Sequence, residues 1–123
     1  MTGLQLFEAY PKAAEVVSTY YKNVFIDSMT GSEIDEEFKE FAKAQILDNE
    51  YITTFVDSNP RGLFDVFDEN GFFIETLYME NKFHFTIVND GEVVLAEPES
   101  FDTRIECDKA AIESAMKLLN DEL

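Results

Sequence analysis

Acid–base or nucleophilic chemistry in this chain would rest on one histidine, His84, and one cysteine, Cys107, set among 26 Asp and Glu. A catalytic imidazole would need Cys107 or a serine as its nucleophile. His84 lies in Phe83-His84-Phe85-Thr86-Ile87, on the strand face opposite Phe83, Phe85 and Ile87. A strand histidine among aromatics reads as an ordinary packed or half-exposed residue. Cys107 falls at a buried register, where a thiol behaves as a small inert hydrophobe. One histidine and one cysteine make neither a His-Glu-x-x-His site nor a zinc ribbon. Phe67-Asp68-Glu69-Asn70-Gly71 superficially matches a calcium loop. With Gly71 at the sixth position, however, Val66 stands first and Leu77 twelfth, where carboxylates are required. The five glycines are too dispersed for a phosphate-cradling loop. Paired carboxylates are so abundant that a glycosidase-like separation carries no information without a pocket. The expectation is a protein that is not an enzyme and uses no metal or cofactor.

The acids themselves are the stronger signal. Nine Lys and Arg leave a formal net charge of −17 on 123 residues, while 46% of residues are hydrophobic and 14% aromatic. Acidic disordered tails lack such a core-forming complement, so the charge decorates a folded domain. A surface of this sign repels nucleic acid and anionic membranes and attracts basic protein surfaces. Net charge serves solubility as well, but −17 is about twice the upper end of the ~2–8 units that solubility needs in a small domain. The simplest expectation is that a cationic partner offsets the resulting self-repulsion.

Two regions concentrate the carboxylates. Glu33, Glu36, Glu37 and Glu40 fall within an arc of ~100° on a helix. Residues three and four apart there sit ~5–6 Å apart at Cβ. Acids in a first turn also complement the helix dipole, and Asp35 can pair with Lys39, so a merely solvated face competes with a binding face. Across Asp90 to Asp108, the acids Asp90, Glu92, Glu97, Glu99, Asp102, Glu106 and Asp108 stand against Arg104 alone. Asp65, Asp68 and Glu69 form a smaller cluster. The candidate binding residues are Glu33, Glu36, Glu37, Glu40, Asp90, Glu92, Glu97, Glu99 and Asp102.

These residues need elements to carry them. Ala13, Val17, Tyr20, Tyr21 and Val24 recur at helical spacing from Pro11 to about Phe25, and Pro11 suits a first turn. Leu4, Leu6 and Phe7 before it read as a short turn or packed arm. Ser32-x-x-Asp35 resembles a capping box opening a second helix to about Leu47. Asn49 to Ser58 reads equally as strand or helix. Five short strands follow, Leu63–Phe67, Phe72–Met79, Phe83–Val88, Glu92–Ala96 and Phe101–Cys107, with Asn70-Gly71 as a hairpin signal. Asp108 caps a last helix to about Asn120. In Phe72–Met79 both faces are largely apolar, and the expectation is that the N-terminal helices cover one face and the C-terminal helix the other.

The fold class expected is therefore α+β: two N-terminal helices, a five-stranded antiparallel β-meander and a C-terminal helix in a two-layer sandwich, forming one domain over residues 1–123. No apolar run approaches the ~20 residues of a membrane span, and no cationic, apolar leader opens the chain, so a cytoplasmic location is expected. The functional expectation is a non-catalytic acidic inhibitor, of the DNA-mimicking kind that phages deploy against host defence, blocking a basic nucleic-acid-binding site on a partner protein. It would contact neither nucleic acid nor membrane directly. The alternative is an immunity (antitoxin-like) protein capping one toxin, with Tyr51 or Tyr78 as anchors. A homodimer that hides the apolar sheet face is a further arrangement.

Overall fold

The computed structural model describes residues 2–28, 37, 40, 48–96 and 99–123. It is α+β, with helices and a three-stranded antiparallel sheet followed by a C-terminal helix. Helix α1 (Gly3–Ala9) opens on a capping box. The Thr2 hydroxyl accepts from the Gln5 N–H at 3.2 Å, and the Gln5 carboxamide accepts from the Thr2 N–H at 2.8 Å. The segment read as a turn or arm is thus helical, with Leu6 and Phe7 in the core. Gly3 sits against helix α3 (Asn49–Ser58), where a Cβ would meet the Thr53 carbonyl at 3.0 Å. Its N–H donates to Asp57 Oδ1 at 2.7 Å.

Helix α2 (Pro11–Ser28) extends the expected helix by a turn. Its first-turn donors are fully satisfied. Pro11 has no N–H, and the N–H groups of Lys12 and Ala13 donate to Asn120 Oδ1 at 2.9 and 3.2 Å. The Ala14 N–H begins the helical ladder on the Tyr10 carbonyl. The expected second helix, Glu33 to Leu47, lies outside the described residues except for Glu37 and Glu40, which are helical and exposed. The ambiguous stretch resolves as helix α3, capped by Asp48, with Ile52, Thr53 and Val56 buried.

Of the five expected strands, Leu63–Phe67 is a helix and Phe101–Cys107 is helical from Arg104 onward. Leu63, Val66 and Phe67 fall at i, i+3 and i+4, and they form the buried stripe of helix α4 (Leu63–Glu69). Asn70-Gly71 ends this helix instead of turning a hairpin. Gly71 takes φ +85°, the Phe72 N–H donates to the Phe67 carbonyl at 2.9 Å, and the Gly71 N–H donates to the Asp68 carbonyl at 3.1 Å. This is a Schellman motif, closed by the buried pair Phe67 and Phe72. At the other end of the meander, Phe101 makes an isolated bridge to Phe83, and helix α5 (Arg104–Glu122) begins at once. The Thr103 hydroxyl accepts from the Glu106 N–H at 3.2 Å, so the cap is Thr103 and not Asp108. Cys107, Ala111, Ile112, Ala115, Met116 and Leu119 form the buried face of α5, and the apparent two-residue alternation of Phe101 to Cys107 is coincidental.

The sheet runs β1 (Phe73–Met79), β2 (Lys82–Asn89), β3 (Glu92–Ala96) in that order. Glu80-Asn81 and Asp90-Gly91 turn the two hairpins with positive φ at both central residues, as type I′ geometry requires. Helices α4 and α5 pack on one face, where Phe85 and Ile87 are fully buried. Helix α2 packs on α5 and α4, on that same side. The expectation of helices on both faces is therefore corrected among the described residues. Phe73, Leu77 and Met79 on β1, with Val93 on β3, remain 47–61% exposed on the opposite face.

Candidate functional site

Nearly all the acid faces outward. Every described Asp and Glu is exposed except Glu113, which is half-buried, and Asp108, which is buried. Acids stand on each of the five described helices and on β1 and β3, whereas β2 carries none. The arrangement is a halo and not one stripe.

The expected binding residues divide accordingly. Glu33, Glu36 and Glu97 lie outside the described residues. Glu37 and Glu40 are exposed on a helix. Asp90 and Glu92 share the β2–β3 hairpin, at its turn and at the start of β3. Asp102 pairs with Lys82 and is thereby partly neutralised. Glu99 meets Glu113 and Lys117 in a shallow groove of about 340 Å³ beside α5.

A larger groove, about 690 Å³, opens between α2 and the end of α4. Glu15 and Asp27 come from α2 and Glu69 from α4, against Lys12 alone, with Tyr20 and Asn70 beside them. Burial, then the carboxylates of Asp65 and Glu69, push the Tyr20 hydroxyl above its ordinary value. Burial and Asp65 likewise hold Asp68 above the usual carboxylate range. Both shifts owe most to desolvation, and the neighbouring carboxylates add to it. The sequence had gathered Asp65, Asp68 and Glu69, but not their meeting with Glu15 and Asp27.

Asp108 is the one fully buried acid among the described residues. Its Oδ2 lies 3.4 Å from Arg61 Nε, and its Oδ1 has no hydrogen-bond partner. Burial raises its carboxyl, with Arg61 and Arg104 opposing. The Tyr21 hydroxyl is pushed up to about 12, chiefly by burial, and then by Tyr20 and Asp65. It lacks a hydrogen-bond partner and lies where a Cβ on Gly62 would approach it to 2.8 Å.

The catalytic candidates do not converge. Strand alternation puts His84 with Leu77 on the open face of the sheet. Cys107 is buried on α5, on the helical side. Among the described residues, no three His, Cys, Asp or Glu side chains are grouped to hold a metal ion, and no helix is long and apolar enough to cross a membrane. Comparison with known proteins finds no family model that matches the chain, and no curated protein or solved structure that is similar to it.

Proposed function

We infer that this chain is a non-catalytic, acidic inhibitory binding protein of the cytoplasm, a DNA mimic that occupies a basic nucleic-acid-binding site on a partner protein. The observation that carries this reading is the halo of exposed carboxylates around a well-packed apolar core. Such a field draws cationic surfaces and excludes nucleic acid itself. The groove holding Glu15, Asp27 and Glu69 gathers three of these carboxylates around one concavity. Capture from a bacterial lysate at about 50 mM and about 500 mM salt tests the reading, since screening removes most of an exposed ionic contact over that range. Basic nucleic-acid-binding proteins retained at low salt, released by duplex DNA, and lost from the Glu33, Glu36, Glu37 and Glu40 quadruple Lys variant are the expected result. Binding that ignores both salt and DNA overturns it.

A second reading, an immunity protein capping one dedicated toxin, is favoured by one feature. Tyr51 and Phe55 stand one turn apart on α3, are 48% and 37% exposed, and both pack edge-on against Phe25. Exposed aromatics held rigid in this way are the usual anchors of a tight interface. Loss of partner binding in a Tyr51→Ala variant, with salt dependence unchanged, would select this reading.

A further inference from the structure

We propose that the open face of the three-stranded sheet is a second contact surface, which takes a single amphipathic segment of a partner, apolar along one side and bearing Lys or Arg at its edges. The proposal rests on the reading of the chain as a binder of basic proteins, and it adds a place and a shape to that reading. Phe73, Leu77 and Met79 share the side of β1 away from the helices, with Glu75 between Phe73 and Leu77; Val93 joins Phe73 through Val88, and Thr86, His84 and Lys82 of β2 lie beside Glu75, Leu77 and Met79. Exposed apolar side chains gathered on one face, at a patch size of roughly 300–600 Å² or less, are often functional on a monomer.

Area and charge choose the occupant. Seven residues of β1 at ~3.4 Å each, by three strands at ~4.8 Å spacing, give a face of about 24 by 14 Å. That is about 340 Å², less than half of the ~800 Å² each partner gives to a standard interface. It is wide enough for one helix of ~10–12 Å diameter or one extended strand. The rim is acidic: Glu75 lies on the face, and Glu80 and Asp90 stand in the two hairpin turns, all exposed. On the same face, Lys82 is already paired with Asp102. A second copy would set these carboxylates against their own equivalents, at a cost in repulsion. A cationic amphipathic segment instead pairs with the rim while its apolar side covers Phe73, Leu77, Met79 and Val93.

The test uses the full chain, isotope-labelled for amide NMR, and two synthetic probes of equal charge. One is a peptide alternating lysine with leucine; the other is an oligolysine. Amide shifts on β1 and β3 with the alternating peptide, and binding that persists at about 500 mM salt, are expected. Leu77→Ser with Val93→Ser should weaken that peptide about tenfold, while oligolysine affinity changes less than about twofold. Both positions are exposed, so the core is untouched, and Glu75→Lys offers an independent loss at the rim. Equal binding of the two peptides, with shifts confined to the helices, overturns the sheet surface and leaves the acidic reading standing. Binding of neither peptide overturns both. A dimer in sedimentation that the double Ser variant dissolves would make a second copy the occupant and overturn the proposal.

Discussion

Asn120 ties the two ends of the described helical layer together, and removing its side-chain carbonyl should be costly beyond its modest size. Oδ1 accepts from both Lys12 and Ala13, residues more than a hundred positions away in sequence. The Ala13 donor belongs to a fully buried residue, so water cannot replace the lost acceptor there, whereas the exposed Lys12 N–H rehydrates. Losing a helix cap costs ~0.5–2 kcal/mol, and orphaning a buried donor ~1–3 kcal/mol. Asn120→Ala should therefore destabilise by about 1.5 kcal/mol. At ~2.1 cal/mol/K per residue, 123 residues give an unfolding entropy of about 260 cal/mol/K, so Tm should fall by about 6 °C. Asn120→Asp keeps an acceptor and places negative charge at the positive end of α2, so it should stay within about 0.5 kcal/mol of the parent. Urea unfolding followed by far-UV circular dichroism suits a chain without tryptophan. An Asn120→Ala variant as stable as the parent, or an Asp variant that falls as far as Ala, refutes the account.

Two other perturbations test local features. Burial of Asp108, and partial desolvation of the exposed Asp68 together with its neighbour Asp65, raise both carboxyls, so both bind protons more tightly in the folded chain than in the unfolded one. The stability linked to them is complete below the ordinary carboxylate value of ~3.9 and is lost as pH climbs through their folded values. Unfolding midpoints should thus be higher at about pH 4 than at about pH 8, and Asp108→Asn should flatten that difference, since Arg61 is half-exposed and can return to water; a steeper pH dependence in the variant contradicts this. Gly71→Ala meets open space but must hold φ near +85°. It should cost about 1–2 kcal/mol in thermal unfolding, with Gly71→Asn recovering part of it; an unchanged Tm for the Ala variant would exclude the strain argument.

What could be read in the sequence was what local chemistry decides by itself. Pro11 and the spacing of Ala13, Val17 and Tyr21 mark α2, and Asp90-Gly91 marks a hairpin, because each depends on residues within one or two turns. The errors arose where two local signals competed. Asn70-Gly71 supports a type I′ turn and a helix C-cap equally well, and only the i, i+3, i+4 spacing of Leu63, Val66 and Phe67 before it tells them apart. At Thr103-x-x-Glu106, the capping signature outweighs an alternation of apolar and polar residues that ends as soon as α5 begins. The groove was illegible for a different reason. Glu15 and Glu69 are neighbours only because α2 and α4 pack together, and no short window holds both.

In the proposed reading, the acid halo and the open sheet face do different work in association. Long-range attraction to the carboxylates concentrates and orients any cationic partner, raising the encounter rate in a way that salt screens. It discriminates poorly, because every basic surface responds. Residence time is set by short-range burial, to which salt is nearly indifferent. The open face would meet that need, since β2 bears no acid and Glu75 is the one described acid within the face, beside Phe73 and Leu77. A chain built with the halo alone would bind basic proteins broadly and briefly; a bare apolar face without the halo would invite its own copies. In the proposed reading, the −17 charge keeps copies apart and steers oppositely charged partners inward, and the sheet then retains those whose apolar side chains match it.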